Sequence, residues 1–117
     1  MLKANFITAQ EAAEKIQDGS TLCTIGMTLV SASESILKAI EKRFETVGHP
    51  ADITLVHSCG QSDRKDGIQH LAHEGLVKRI IGSHWGLQPR WMEMIANSQV
   101  EAYCLPQGQI AQLYRSM

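Results

Sequence analysis

Three carboxylates, two histidines and one cysteine are the residues of this sequence with the types best suited to making and breaking bonds. Glu34, Glu74 and Glu101 could each serve as nucleophile or base, yet each has a plainer local explanation. Glu34 stands three residues after Ser31, at capping-box spacing ahead of a helix; Glu74 adjoins Gly75; Glu101 begins an apolar run. Solvated or capping carboxylates are the simpler reading of all three. His70 and His73 lie three apart and would share one face of a short helix, the spacing of a metal-ligand pair. No third ligand lies close by, so the sequence assigns no metal. Cys59, next to Gly60, could present a thiolate, but no base adjoins it, and a buried structural thiol is the simpler reading.

Four polar or glycine-bearing stretches follow apolar runs: "GMTLVSAS" with Gly26, "SCGQSD" with Gly60, Gln61 and Asp63, "GSHWGL" with His84, Trp85 and Gly86, and "LPQGQ" with Gln107 and Gly108. Such ends are where open α/β sheets gather their ligands. The loop "CGQSDRKDG" offers donors in Gln61, Ser62 and Arg64 but matches neither G-x-G-x-x-G nor the P-loop pattern. An ordinary solvated connection fits it equally well. Trp85 could equally cover the sheet end, and the Pro106 to Gly108 turn could equally open a helix.

The elements that would position these stretches follow from pattern. In "TAQEAAEKIQDGS", Thr8 and Glu11 form a capping box, and Gly19 supplies a left-handed exit. "TLCTIGM" has no polar alternation and predicts a strand covered on both faces. "SASESILKAIEKRFETVG" predicts a second capping box at Ser31 and Glu34, an apolar stripe of Ala32, Ile36, Leu37, Ile40, Phe44 and Val47, and an end at Gly48. "DITLVHS", "LVKRIIG" and "VEAYCLP" read as further strands; "IQHLAH" and "PRWMEMIANS", with Pro89 at its first turn, read as helices. Strands alternating with helices predict an α/β fold with an open, mostly parallel sheet and helices on both faces. The last segment, "PQGQIAQLYRSM", carries Ile110, Leu113 and Tyr114 at helical spacing without a stop signal, and predicts a chain that finishes inside an element and is incomplete at its C-terminus.

The 117 residues suit a single domain. Eleven basic and 12 acidic residues give a formal charge of −1 with no concentration of either sign, which argues against nucleic acid or an anionic membrane as partner. No apolar run reaches the roughly 20 residues of a membrane span, and "MLKANFITAQ" lacks the apolar centre of a signal peptide. With three widely spaced cysteines, Cys23, Cys59 and Cys104, a reduced, cytoplasmic chain without disulfides is expected.

Taken together, "CGQSD" (59–63), "HLAHEGLVKRIIGSHWGLQPR" (70–90) and "EAYCLPQGQIAQLYR" (101–115) closely resemble the N-terminal part of family I coenzyme A transferases, in particular the acetate, propionate and 3-ketoacid group. The likeness runs over nearly the whole chain and implies that residues 1–117 are the N-terminal portion of an alpha-type domain. It implies transfer of coenzyme A from an acyl-CoA to a carboxylic acid through a glutamyl anhydride and a glutamyl thioester. Coenzyme A is then a substrate, and no cofactor is implied. The nucleophilic glutamate of the family lies in its second half, and none of Glu34, Glu74 or Glu101 matches it. The partners implied are acyl-CoA, a short-chain carboxylate, a beta-type half or subunit, and further copies in a homo-oligomer. Gln107 and Gly108 resemble acyl-pocket residues. Gly26, the turn from Gly60 through Gln61 to Asp63, and the turn from His84 through Trp85 to Gly86 resemble the neighbouring walls. One departure is "GMTLVSASE", where many members carry extra glycines and a proline before the glutamate, and this chain has Leu29, Ser31 and Ser33. Two other readings stay open: a non-catalytic α/β binding or assembly module, and a sugar-phosphate isomerase-like domain, the latter without a visible phosphate loop.

Overall fold

The runs rich in Leu, Ile and Val form four strands, β1 (Thr21–Thr24), β2 (Ile53–His57), β3 (Val77–Gly82) and β4 (Glu101–Cys104). In the computed structural model, which describes residues 3–117, they pair in parallel in the order β1-β2-β3-β4. The register sets Leu22, Leu55, Ile80 and Ala102 abreast, and beside them Cys23, Val56, Ile81 and Tyr103. Side chains alternate across a strand, so these two rows belong to opposite faces.

The first row packs into the main core with Ala13, Leu37, Ile40, Ile68, Leu71, Trp91 and Met94. Those residues come from α1 (Ala9–Glu14), α2 (Glu34–Val47), the 3₁₀ helix Gly67–Leu71 and α3 (Pro89–Ala96), which therefore all cover one face. Trp91 is fully buried there, and its Nε1 donates to the Ile68 carbonyl at 2.9 Å. Among the described residues the helix on the face of the second row is α4 (Gln107–Ser116), with Leu113 beside Ile81 and Tyr103; the Tyr114 hydroxyl donates to the Thr24 carbonyl at the end of β1 at 2.8 Å. Helices thus lie on both faces, as expected, but unequally.

Three local expectations are corrected. The capping box at Thr8 and Glu11 is present, but α1 stops at Lys15 rather than running to Gly19. The Arg43 guanidinium takes the Ala13 and Ile16 carbonyls at 2.9 Å each, and Gly19, at φ 71°, turns the chain into β1 instead. Second, Ser31 does not cap α2. It sits in the left-handed region at φ 62°, the cap position belongs to Ser33 without a side-chain bond, and Glu34 is drawn away to the Gly67 N–H. Third, β1 is not covered on both faces: it is an edge strand ending at Thr24, Cys23 is exposed, and Ile25 to Val30 form a protruding hairpin closed by Met27 and Val30. The predicted stripe of α2 buries Leu37 and Ile40, while Val47 at its far end is exposed. Gly48 ends α2 as expected, at φ 75°.

Because the α1 cap is reciprocal and solvent-facing, Thr8→Ala is expected to lower stability by about 1 kcal/mol, read as a shift of the denaturant midpoint.

Candidate functional site at the strand ends

The carboxyl ends of β2 and β3 meet around a histidine that closes the run "ITLVH". His57 is fully buried, and its ring fills the space that a side chain on Gly82 would need: a Cβ there would lie 2.1 Å from His57 Nε2. The indole Nε1 of Trp85 donates to that Nε2 at 3.0 Å. The proton therefore belongs on Nδ1, which faces the Ser58 and Cys59 carbonyls at 3.2 and 3.1 Å. Every polar atom of the neutral ring is used. Burial is the main cause holding this histidine below the usual range, opposed by those two carbonyls and reinforced by the neighbouring His84.

A second imidazole continues the pattern. His84 Nε2 accepts the Gly60 N–H at 3.0 Å, and a Cβ on Gly60 would strike the same ring at 2.5 Å. Gly60 thus lets the turn after β2 lie directly against the turn after β3. Beneath them Gln88, fully buried, oriented so that its amide nitrogen donates to the Trp85 carbonyl (3.1 Å), accepts the Gln61 N–H (3.0 Å). Gln61 in turn donates to the Thr24 carbonyl at 3.0 Å, and the Ser58 hydroxyl donates to the Gly26 carbonyl at 3.1 Å. At the other side, Gln107 in the first turn of α4 accepts the Cys59 N–H at 2.9 Å. The four strand-end turns are therefore one hydrogen-bonded surface rather than four separate loops.

The nine candidate residues divide within it. Gly60, His84 and Gln107 meet around the 59–60 turn, and Gly26 joins through Ser58. Gly86 and Gly108 are exposed beside them, with open space where a Cβ on Gly108 would stand. Trp85 is half-buried against His57. Gln61 is buried, with its amide committed to the scaffold. Asp63 points into its own turn, accepting the Lys65 and Asp66 N–H groups, bonds that hold its carboxyl below the usual range. His57, Ser58 and Gln88 belong to the surface without forming any motif in the sequence, and Tyr114, part of a helical stripe by spacing, reaches it through the Thr24 carbonyl. The available signal for His57 was a lone ionisable residue closing a strand whose other residues are apolar or threonine, two short steps before Cys59.

None of the three glutamates lies here. Glu34 binds Gly67 and His70, Glu101 pairs with Arg79 at 2.8 Å, and Glu74 accepts from Gln99 at 3.1 Å near the opposite ends of the strands. Surface recesses between α1 and α2, below β3 and β4, and around α4 are lined by none of the nine candidate residues.

Trp85→Phe keeps an aromatic ring but removes the N–H offered to His57 Nε2. Leaving that buried acceptor unpaired is expected to cost about 1 to 3 kcal/mol, seen as a lower urea midpoint at unchanged slope.

The model of the family described as coenzyme A transferase matches residues 6–116. The chain belongs to that family. The sequence is 36% identical over 115 residues to the caffeate CoA-transferase of Acetobacterium woodii and 34% identical over 112 residues to the acetate CoA-transferase YdiF of Escherichia coli K12. The alignments take in 97% and 94% of this chain but 22% and 21% of the relatives, so the chain spans about a fifth of their length. It also matches one subunit of a probable succinyl-CoA:3-ketoacid coenzyme A transferase of Bacillus subtilis, at 27% identity over 93% of the chain and 43% of that relative. The fold is shared with the acyl-CoA transferase YdiF of E. coli O157:H7, solved as a thioester complex with CoA, at a TM-score of 0.81 and 33% identity over 87% of this chain and 21% of that one. The α/β architecture of a coenzyme A transferase is thus present in these residues. Among them, no helix is long and apolar enough to cross a membrane.

Proposed function

We propose that this chain supplies the N-terminal part of a coenzyme A transferase, in which the joined strand-end turns form one wall of the acyl-CoA site. The observation that carries this reading is the combination at one place of a hydrogen-bonded, glycine-lined surface to which none of Glu34, Glu74 and Glu101 contributes. Nucleophilic chemistry then needs a glutamate from a second half or a beta-type subunit. Its carboxylate would attack the thioester carbonyl, breaking the C–S bond and releasing CoA thiolate as the acyl-glutamyl anhydride forms. The thiolate would attack the glutamyl carbonyl and expel the acyl carboxylate, leaving a glutamyl thioester. An acceptor acid reverses both steps and leaves as its own CoA thioester. Each addition places negative charge on a carbonyl oxygen, which aligned N–H donors stabilise. The first N–H groups of α4, at Gln107 and Gly108, have no partner within their helix and open beside the 59–60 turn.

The relatives' names span caffeate, acetate and succinyl-CoA with 3-ketoacids, so family membership leaves the acyl group open. A short-chain acyl or 3-ketoacyl group is our reading, with Gly26, Gln107 and Gly108 nearest the acyl end. A cytoplasmic homo-oligomer completes the proposal.

The purified chain alone is expected to catalyse no exchange between acetyl-CoA and labelled propionate. Substituted for the corresponding 112 residues of the E. coli K12 acetate CoA-transferase, it is expected to sustain exchange. A folded chimera without activity would favour the alternative reading, a non-catalytic binding or assembly module. The observation favouring that alternative is the apolar hairpin, where Ile25 and Val30 at its base are each 65% exposed; concentration-dependent sedimentation of the chain alone would reveal self-association.

A further inference from the structure

The two histidines that stood at metal-ligand spacing converge on carboxylates of α2. His70 Nδ1 lies 2.5 Å from Glu41 Oε2, and its Nε2 lies 2.6 Å from Glu34 Oε1 and 3.2 Å from Asp66 Oδ1. A carboxylate only accepts, and a neutral imidazole has only one N–H. Both ring nitrogens face carboxylate oxygens at hydrogen-bond distance, so a neutral ring would press a lone pair against one of them.

The charges around the ring agree. From α2 come Glu34, Lys38, Glu41 and, further out, Glu45; from the turn, Asp66; after the 3₁₀ helix, His73, at 2.7 Å from Glu41; from α3, Arg90, at 3.5 Å from Glu41. Lys38 lies 3.3 Å from Glu34 and 3.7 Å from Asp66. With cations already beside both carboxylates, the shared protons belong to the imidazole.

The position has structural reach. Glu34 uses its other oxygen to accept the Gly67 N–H at 2.9 Å, and the adjacent Ile68 N–H donates to the Gln61 carbonyl at 2.9 Å. A Cβ on Gly67 would lie 2.0 Å from that carbonyl oxygen, so the turn from Gly60 to Gly67 closes tightly on this one point. We infer that His70 is a fixed imidazolium and a positioning residue, clamping the 60–67 turn of the strand-end surface to α2 and releasing it when its second proton leaves. The turn is then well ordered at neutral pH and loosens on the alkaline side. Burial opposes the charged ring, but the bonds to Glu41 and Glu34 outweigh it and hold His70 above the usual histidine range. The stabilisation is therefore complete below the unfolded value of about 6.5 and is lost as pH rises through the folded one.

The test uses the full chain with ¹⁵N-labelled histidine. At pH 7 both His70 nitrogens are expected to show protonated shifts, with a midpoint above the ordinary value of about 6.5. Across the same step, amide exchange at Gly67 and Ile68, corrected for intrinsic rate, is expected to quicken severalfold. In His70→Gln that step is expected to vanish while cooperative unfolding persists. If the variant does not fold, the wild-type titration still decides. A neutral His70 tautomer at pH 7, or exchange that does not follow its titration, would overturn the inference. So would zinc, added at one equivalent, displacing one ring proton and binding that nitrogen in its place. No acyl-CoA enters these measurements, so they stand or fall separately from the proposed transfer reaction.

Discussion

Gly82→Ala is expected to destabilise the chain by about 3 to 5 kcal/mol, the sum of overpacking a core and orphaning a buried donor. The added methyl would meet His57 Nε2, Cε1 and Cδ2 at 2.1, 2.4 and 2.8 Å, and the ring is fully buried with nowhere to swing. Displacing it would strip Trp85 Nε1 of its acceptor and the Ser58 and Cys59 carbonyls of their donor. At roughly 4 °C per kcal/mol for a domain of this size, the melting temperature should fall by about 12 to 20 °C. Gly86→Ala is the matched control. The nearest atom to its Cβ is 3.7 Å away, an ordinary contact, and a change within about 0.5 kcal/mol is expected. Equal effects in the two variants would show that His57 does not fix the β2 and β3 ends.

Trp91→Ala should cost about as much, by a different route. The indole is completely buried among Ile68, Leu71 and the α3 residues, and truncating so large a core side chain costs about 3 to 5 kcal/mol. It also leaves the Ile68 carbonyl without the indole N–H. Against a total of about 5 to 15 kcal/mol, that loss approaches global unfolding. Urea titration followed by circular dichroism should show a midpoint far below that of the parent. Trp91→Phe, which fills most of the space, should recover more than half of the loss; recovery of almost none would assign the cost to the hydrogen bond.

His57 also sets a pH dependence opposite in sign to that of His70. Its folded value lies below the ordinary one, so its contribution is complete above about pH 6.5 and is lost as pH falls through the folded value. Melting temperatures across about pH 5 to about pH 8 should drop on the acid side in the parent. His57→Asn, if folded, should flatten that limb.

Strand positions were readable because "ITLVH" and "VKRIIG" are long enough in apolar residues to be assigned without tertiary information, and α2 and α3 because their period and terminal Gly48 and Pro89 agree. What failed was competition for a single side chain. Glu34 suits a cap by spacing, yet Gly67 and His70, more than thirty residues away, claim its oxygens. The strand-end surface was partly readable for a similar reason. Glycines marked Gly60 and Gly26 as places of close backbone approach; at Gly26 the approach is local, from the Val30 carbonyl, but His84, which fills the approach at Gly60, and Ser58, which donates to the Gly26 carbonyl, depend on which strands are neighbours. Gln61 and Asp63 look alike in sequence as polar loop residues; only packing makes one a buried brace and the other an exposed turn residue.

The unequal covering of the sheet has a topological meaning. Strand order rises steadily from β1 to β4, with each crossover passing over the same face. Ligand crevices of open parallel sheets form where winding reverses, and no reversal occurs among these four strands. Among the described residues, only α4 lies on the other side. Right-handed crossovers dictate that a strand entered from α4 would lie on the free edge of β1 rather than beyond β4. The change of winding direction would then fall beside β1, at the mouth of the hairpin that contains Gly26.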